Sequence, residues 1–522
     1  MPTPKKKRSK NEAQDKTQPT GQISFKDDGR FAFVLGGLFV VLLAMVVSHH
    51  EMWRDEMQIW MIARQSDTVA DLFRNLKYEP HPALWYILAF LASKISSSPV
   101  TLQILHAIIA STAAYVFLRF APLCRLHKGL FIFGFFPFYE YGVIARCYSL
   151  GILLAFLFCA LFRYRDKNLL TMSVILFLLA NCTAYGLFMA FSLVLTLAVS
   201  WFMDRRLNNP WKSSMWKMIA GVAIIVAGIV LSALQIAPPA DGVRFKQTFT
   251  YYNALLFQTV ISAVSVAYGY GFGFFRNIYG PVLSVFLLIF SALTLFRRPV
   301  PLFTYITTIL VMLGASYVKM LGYLWHIGHL FIVYILCLWL GSYYEPGPAK
   351  KPFVNQVSIS IRRLTYVYLT VLLVFQLLPS IYATKEDLAK PFSNGKAVAT
   401  FLKDKGLEDV IIAGDIDFAA STVSGYLNKS IYYLSSKRYG TFIIWDRHRS
   451  DSIASPDVFA EGIHKLEKES SPQILLVLNY KITPTWQDYL GARPLQSFTG
   501  SVADFIQSGP VGEDFWLYLI EK

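Results

Sequence analysis

The sequence has few charged residues for its length. Asp, Glu, Lys and Arg make up 16% of its 522 residues, whereas an ordinary soluble domain has about 25%. Hydrophobic residues account for 55% of the chain. This balance excludes a soluble globule, a disordered chain and a fibrous protein.

Cysteine is also scarce, with five residues in the chain. All five lie in or beside apolar stretches, and none forms a CxxC pair. A disulfide scaffold and a cysteine-based metal site are therefore excluded. The sequence also lacks a P-loop, a GxGxxG motif after a predicted strand and a repeat of fixed period, so nucleotide binding has no support.

Acidic residues are scarce in the first three quarters of the chain only. Residues 1–384 hold 34 Lys and Arg against 15 Asp and Glu, a balance of +19, whereas residues 385–522 hold 15 against 18, a balance of −3. The positive excess lies mostly in short segments between apolar stretches. That distribution indicates a membrane protein oriented by its cations, and it argues against nucleic acid as a partner.

Long apolar segments are what the sequence has in abundance. A bilayer core of about 30 Å needs about 20 apolar residues in a helix. Eleven segments, several of them short, are predicted to span the membrane: 31–48, 100–118, 129–143, 148–162, 169–181, 187–203, 216–236, 280–296, 302–318, 323–341 and 365–383.

The basic N-terminus sets the expected orientation. Residues 1–30 are predicted to be a cytoplasmic tail, since a span begins at Phe31 and no small-residue cleavage site follows it. The predicted inner segments then hold 24 Lys and Arg, and the outer ones before residue 385 hold 10. This registry requires that 82–96, in the first outer loop (49–99), is a helix on the outer face of the cell membrane.

Residues 385–522 have the composition of a soluble domain on the same outer side. Helical patterns at 394–405 and 455–470 alternate with β-rich runs. The alternation predicts a small α/β domain with a largely parallel sheet. Its predicted strands are 410–413, 430–434, 441–445, 473–478 and 516–520.

The first outer loop opens with adjacent carboxylates, Asp55 and Glu56, about seven residues beyond the first span. Met57, Trp60 and Met61 follow at helical spacing, which predicts an amphipathic helix in the membrane interface. The pair is then either a solvated acidic face or a base for catalysis, because partial desolvation makes a carboxylate more basic.

Two further motifs are predicted to lie on the same side. One reads His-Pro-Ala-Leu-Trp-Tyr at 81–86, and the other reads Ala-Arg-Cys-Tyr-Ser-Leu at 145–150. Together with Asp55-Glu56, these motifs make residues 25–240 resemble the GT-C superfamily of membrane glycosyltransferases. The most similar branch is that of the bacterial enzymes related to protein O-mannosyltransferases, which includes the lipid A aminoarabinose transferases. Ala83 departs from the second proline of the family's His-Pro-Pro pattern.

The resemblance implies a GT-C catalytic domain at 31–384 and a polyprenyl-phosphate sugar as donor. It implies that Asp55 is the base that deprotonates an acceptor hydroxyl, with inversion at the anomeric carbon, and that Glu56 positions the acceptor or hydrogen-bonds the site. Some relatives bind a divalent metal and others do not; this chain has no zinc-specific spacing, so we assign no metal. The candidates for the donor phosphate are His81, Arg146, Lys319, His326 and His329.

Each of these candidates also has a structural interpretation. Arg146 begins a span, where it could extend to the lipid headgroups. Glu140 could form an ion pair with Arg146 or, with Tyr141, act as an acceptor contact or second acid. His326 and His329 share one helix face and form either a phosphate contact or a structural polar pair.

The expected function is transfer of the sugar to a lipid, glycan or protein hydroxyl on the outer face. The alternative is a polytopic transporter or lipid flippase with an outer domain. Transporters place charges at the midplane and often have internal repeats, whereas the ionisable residues here gather at the predicted outer ends of spans. A scaffold that binds partners through its outer domain would leave the Asp55-Glu56 and His81-Pro82 segments unexplained.

Overall fold

The structure of the chain is a computed structural model. It describes residues 28–207, 211–242, 267, 276–318, 323–344, 352–450, 453–468, 473–503 and 512–521. The basic tail before residue 28 and the candidate Lys319 lie outside the described residues.

Long apolar helices form the larger part of the molecule. Among the described residues, seven helices are long and apolar enough to cross a membrane, and four shorter apolar helices accompany them. Ten of the eleven predicted segments each coincide with a single helix to within one residue or lie inside it. These helices are α1 (Gly29–His49), α5 (Val100–Phe120), α7 (Tyr148–Phe162), α8 (Leu169–Ala180), α9 (Ala184–Arg206), α10 (Met215–Ile236), α11 (Arg276–Leu295), α12 (Pro299–Val318), α13 (Leu324–Gly341) and α14 (Pro352–Ala389).

The prediction of a single spanning helix at 129–143 is wrong. Helix α6 (Arg125–Ile132) ends before Gly134, and a π-helix (Phe135–Val143) follows. Pro137 lies in this π-helix and cannot donate a backbone hydrogen bond. Eight of the nine π-helix residues are buried, so this irregular segment lines the protein interior.

Between α1 and α5 the chain forms three short α-helices. They are α2 (Arg54–Arg64), α3 (Val69–Asn75) and α4 (Leu84–Ser93). Helix α4 confirms the helix expected within 82–96. Helix α2 is not an interfacial helix with one free face, because every residue from Glu56 to Ala63 is buried within the protein.

The C-terminal region is an α/β domain whose sheet is mixed rather than largely parallel. The strand order is β3-β2-β1-β4-β6-β5, in which β1 pairs in parallel with β2 and β4 while the other three pairings are antiparallel. The strands are β1 (Ile411–Gly414), β2 (Ile431–Tyr433), β3 (Arg438–Gly440), β4 (Gln473–Leu478), β5 (Ala492–Phe498) and β6 (Phe515–Glu521). The helices are α15 (Gly395–Asp404), α16 (Asp417–Leu427), α17 (Pro456–Glu467) and α18 (Pro484–Leu490).

This domain covers α2. The Gln58 side chain donates to the Ile443 carbonyl at 2.9 Å and accepts from the Ile443 amide at 2.7 Å. The approach of α16 is so close that a Cβ at Gly425 would lie 2.3 Å from the Met57 side chain. The predicted strand 441–445 is therefore wrong, since its backbone pairs with a glutamine side chain instead of a neighbouring strand.

Candidate active site

Asp55 and Arg146 meet at the start of α2. Asp55 lies in the first turn of the helix, and Arg146 lies between the π-helix and α7. Asp55 Oδ2 is 3.0 Å from Arg146 Nη2, with 31% of the aspartate side chain exposed against 7% of the arginine side chain. The carboxylate is therefore accessible to a ligand, whereas the guanidinium reaches it from inside the protein.

The Arg146 guanidinium has unused donors. Its Nε and Nη1 atoms are buried and have no hydrogen-bond partner among the described residues. The guanidinium carbon lies 5.0 Å from the ring centre of Tyr148 and 4.7 Å from that of Trp325. Aromatic faces hold a guanidinium in place without using its N–H groups, so those groups remain available to an anion.

Glu56 is fully buried and joins the segment that precedes α2 to the segment that carries Arg146. Its Oε2 atom lies 3.0 Å from His50 Nε2 and accepts a hydrogen bond from the Trp53 amide at 3.2 Å, while Oε1 accepts from the Ala145 amide at 2.5 Å. Glu56 therefore fixes the backbone next to Arg146 and has no exposed surface of its own.

The two histidines of α13 lie in an aromatic cluster that includes Tyr148 and Trp325, the rings that contact Arg146. The Tyr185 ring stacks on His326 at 5.1 Å and on His329 at 5.0 Å. The Tyr141 hydroxyl donates to the Trp325 carbonyl at 2.7 Å and lies 3.2 Å from His329 Nδ1. Both histidines are buried.

Tyr148 links this cluster to the other motifs. Its ring centre lies 5.2 Å from that of His329 and 6.3 Å from that of His81. Glu140 is fully buried on the π-helix and acts electrostatically on Arg146. The structure thus brings the described candidates to one region, with His81 at its edge beside a cavity of about 290 Å³ that Lys77, Ala83 and Gln235 also line.

His50 and Asp387 are site residues that the sequence analysis did not identify. His50 Nδ1 lies 2.9 Å from Asp387 Oδ2, and the Tyr139 hydroxyl donates to the same oxygen at 3.0 Å. Burial opposes the charged imidazole, but the carboxylates of Asp387 and Glu56 outweigh it and hold the pKa of His50 well above its ordinary value. Since 337 positions separate His50 from Asp387, no local pattern could pair them.

Within the described parts of the chain, no group of three or more His, Cys, Asp or Glu side chains is arranged to hold a metal ion.

Comparison with known proteins identifies the fold. No protein-family model and no curated protein matches the sequence. Two solved structures of ArnT from Cupriavidus metallidurans do match, each at 11% identity over 94% of this chain and 98% of theirs. The TM-score is 0.51 for the structure bound to undecaprenyl phosphate and 0.54 for the apo structure. The chain is folded like ArnT. The fold expected from the sequence, that of a multi-pass membrane protein with a C-terminal α/β domain, is therefore confirmed.

Proposed function

We propose that the protein is an integral membrane glycosyltransferase that uses a polyprenyl-phosphate sugar as its donor. The observation that carries the proposal is the contact of a partly exposed Asp55 with a buried Arg146 that has unused N–H groups. A base and an anion-binding group lie side by side there. The ArnT structure bound to undecaprenyl phosphate supports the lipid class of the donor.

In the proposed reaction, Asp55 takes the proton of an acceptor hydroxyl. The acceptor oxygen attacks the anomeric carbon from the side opposite the phosphate, so the configuration inverts. The bond from that carbon to the phosphate oxygen breaks, and its electron pair leaves with the polyprenyl phosphate. The free N–H groups of Arg146 donate to this phosphate and stabilise its charge. The acceptor is a lipid, glycan or protein that carries a hydroxyl.

The other candidates take supporting roles in this proposal. Glu56 is a positioning residue because its oxygens are occupied by His50, Trp53 and Ala145. His326 and His329 support the aromatic rings beneath Arg146, together with Tyr141. We propose His81 for the donor phosphate, at the rim of the site, and Glu140 for a charge that holds Arg146 in place.

Replacing Asp55 by Asn tests the base directly. The variant keeps the shape of the side chain but removes its basicity, so transfer should fall by roughly 10²–10⁴-fold. The product is first identified by mass spectrometry of envelope lipids, glycans and glycoproteins from cells with and without the protein, and its formation is then measured for each variant. Asp67→Asn is the matched control, since Asp67 is an exposed carboxylate of the same loop.

Two results would contradict the proposal. Full transfer by the Asp55→Asn variant would exclude Asp55 as the base. A protein that redistributes a lipid across the bilayer without forming any new product would instead be the transporter or flippase considered above.

The sidedness of the site is tested by labelling. We propose that the site and the C-terminal domain face the outside of the cell membrane, as the 24 to 10 division of cations predicts. In a cysteine-free background, cysteines at Asp67 and Lys429 should react with an impermeant thiol reagent added outside, and a cysteine at Asn209 should not. If only the cysteine placed at Asn209 were labelled, the orientation would be the opposite of the one proposed.

A further inference from the structure

His50 is held between two buried carboxylates from distant parts of the chain. Its Nε2 atom lies 3.0 Å from Glu56 Oε2 and its Nδ1 atom lies 2.9 Å from Asp387 Oδ2. None of the three side chains has exposed surface. A neutral imidazole has one N–H group, so it can donate to only one of these oxygens, whereas an imidazolium donates to both.

The other groups around His50 fit a positive charge at this position. Glu56 of α2 and Asp387 of α14 are acidic, the Tyr139 hydroxyl of the π-helix donates to Asp387 and not to His50, and His106 of α5 is a buried neighbour. Two carboxylates therefore face one imidazolium and one neighbouring histidine.

The contacts lead from His50 to Arg146 through Glu56. While one oxygen of Glu56 contacts His50, the other accepts the Ala145 amide at 2.5 Å. Arg146 is the next residue and contacts Asp55 at 3.0 Å. A displacement of Glu56 would move the backbone that carries the guanidinium, although His50 itself touches neither Arg146 nor Asp55 in these contacts.

We propose that His50 is a positioning residue that, as an imidazolium bridging Asp387 and Glu56, fixes Arg146 in the geometry that binds the donor phosphate. The inference rests on the proposed function, because it presumes that Arg146 contacts that phosphate. In this proposal α14, the last apolar helix, supports the donor site through Asp387, although the helix does not itself contact the lipid phosphate.

The first test is a double-mutant cycle on the purified full-length protein in lipid nanodiscs, with undecaprenyl phosphate as the probe. Its affinity is measured by titration for the parent chain, His50→Gln, Arg146→Ala and the double variant. Arg146→Ala should weaken binding roughly 10- to 100-fold, as expected for lost hydrogen bonds to a charged group. His50→Gln should weaken it about tenfold with Arg146 present and less than about twofold with Arg146 absent, since its effect passes through Arg146.

The adjacent His49 supplies the matched control. It is exposed, and its Nδ1 atom lies 2.9 Å from the Met45 carbonyl of its own helix, so His49→Gln should leave affinity unchanged. Equal losses from His50→Gln in both backgrounds would overturn the inference, because a general loss of structure does not depend on Arg146. An unchanged affinity in Arg146→Ala would instead overturn the phosphate contact of the proposed function.

A second test uses Asp387→Asn and does not depend on how His50→Gln folds. The charged form of His50 is present at low pH and is lost as the pH rises through its pKa, so affinity for the probe should fall on the alkaline side. Removing the Asp387 charge leaves Glu56 as the one carboxylate on the imidazolium, and the fall should then begin at a lower pH than in the parent chain. Superimposable pH profiles of the two proteins would overturn the inference.

Discussion

Asp55 and Asp417 both lie at the start of a helix and pair with an arginine from elsewhere in the chain, but they bind their arginines differently. Each lies in the first turn, of α2 and α16 respectively, where a carboxylate is favoured by the helix dipole. Asp417 uses both oxygens to bind Arg449, with Nε at 3.0 and 3.1 Å and Nη2 at 3.0 Å. Asp55 contacts Nη2 of Arg146 alone among the atoms of that guanidinium, at 3.0 Å.

Exposure separates the two pairs further. The side chains of Asp417 and Arg449 are 6% and 1% exposed, and the guanidinium of Arg449 lies 3.9 Å from the centre of the Trp445 ring. That pair is closed and serves the fold. The Asp55 carboxylate is 31% exposed, and Arg146 retains unused N–H groups. The comparison indicates that an ion pair able to take a further ligand differs from a closed one in its unsatisfied donors and its exposure, and not in its residue types.

The largest effect on stability should come from breaking the closed pair. Asp417→Ala removes three hydrogen bonds from a buried arginine, which should lower the free energy of unfolding by about 3–5 kcal/mol. Denaturant unfolding of the purified protein, followed by circular dichroism, measures the change.

Asp457→Ala is the control for that experiment. Asp457 also lies in the first turn of a helix, α17, but it is exposed and accepts from the Tyr489 hydroxyl at 3.2 Å. Its loss should change stability by less than about 1 kcal/mol. Equal effects of the two variants would contradict the distinction between closed and open pairs.

Glu513 allows a pH test at the interface between α2 and the C-terminal domain. It accepts hydrogen bonds from the Arg54 amide at 3.3 Å and from the hydroxyls of Ser393 and Thr422 at 2.9 and 3.1 Å. Burial nonetheless raises its pKa from 4.5 to about 7, despite the opposing effects of Arg54 and of these hydrogen bonds.

The sign of the effect follows from that raised pKa. The folded protein favours the protonated acid, so the contribution of Glu513 to stability is complete below its ordinary pKa and is lost as the pH rises through about 7. Glu513→Gln should flatten this dependence and raise the unfolding temperature above pH 7, since an amide can donate to the two hydroxyls. Glu461→Gln, at an exposed ion pair with Lys437, is the control. If the unfolding temperature of Glu513→Gln depended on pH as steeply as that of the parent chain, another group would be responsible for the pH dependence.

Much of the fold could be predicted from hydropathy, and the exceptions have local causes. Hydropathy predicts the last span at 365–383, but α14 extends to Ala389. Hydropathy detects only the apolar part of a helix, and this helix continues into polar residues. Strand β5 was missed, as most of its residues are exposed and carry no hydrophobic signal. The strand expected at 441–445 does not form, because the backbone of Ile443 pairs with the side chain of Gln58.

The candidate site was predictable where a motif carried it. The motifs predict Asp55, Glu56 and Arg146 as site residues, and the structure brings these three together. Their roles stay predictions. The sequence could not distinguish the partly exposed Asp55 from the buried Glu56 beside it, because Glu56 meets the Ala145 amide only in the folded protein. It could not pair His50 with Asp387 either, since the two meet only in the folded protein.

The smallest expected effect is that of Asp55→Asn on stability, and it completes the comparison of the two pairs. An open ion pair with a partly exposed carboxylate contributes at most about 1 kcal/mol to folding, and asparagine retains an oxygen that can accept from Arg146 Nη2. The unfolding midpoint of Asp55→Asn should therefore remain close to that of the parent chain, measured beside Asp417→Ala under the same conditions. A destabilisation as large as that of Asp417→Ala would show that Asp55 holds the fold together, and any loss of transfer in Asp55→Asn would then have a structural cause instead of a chemical one.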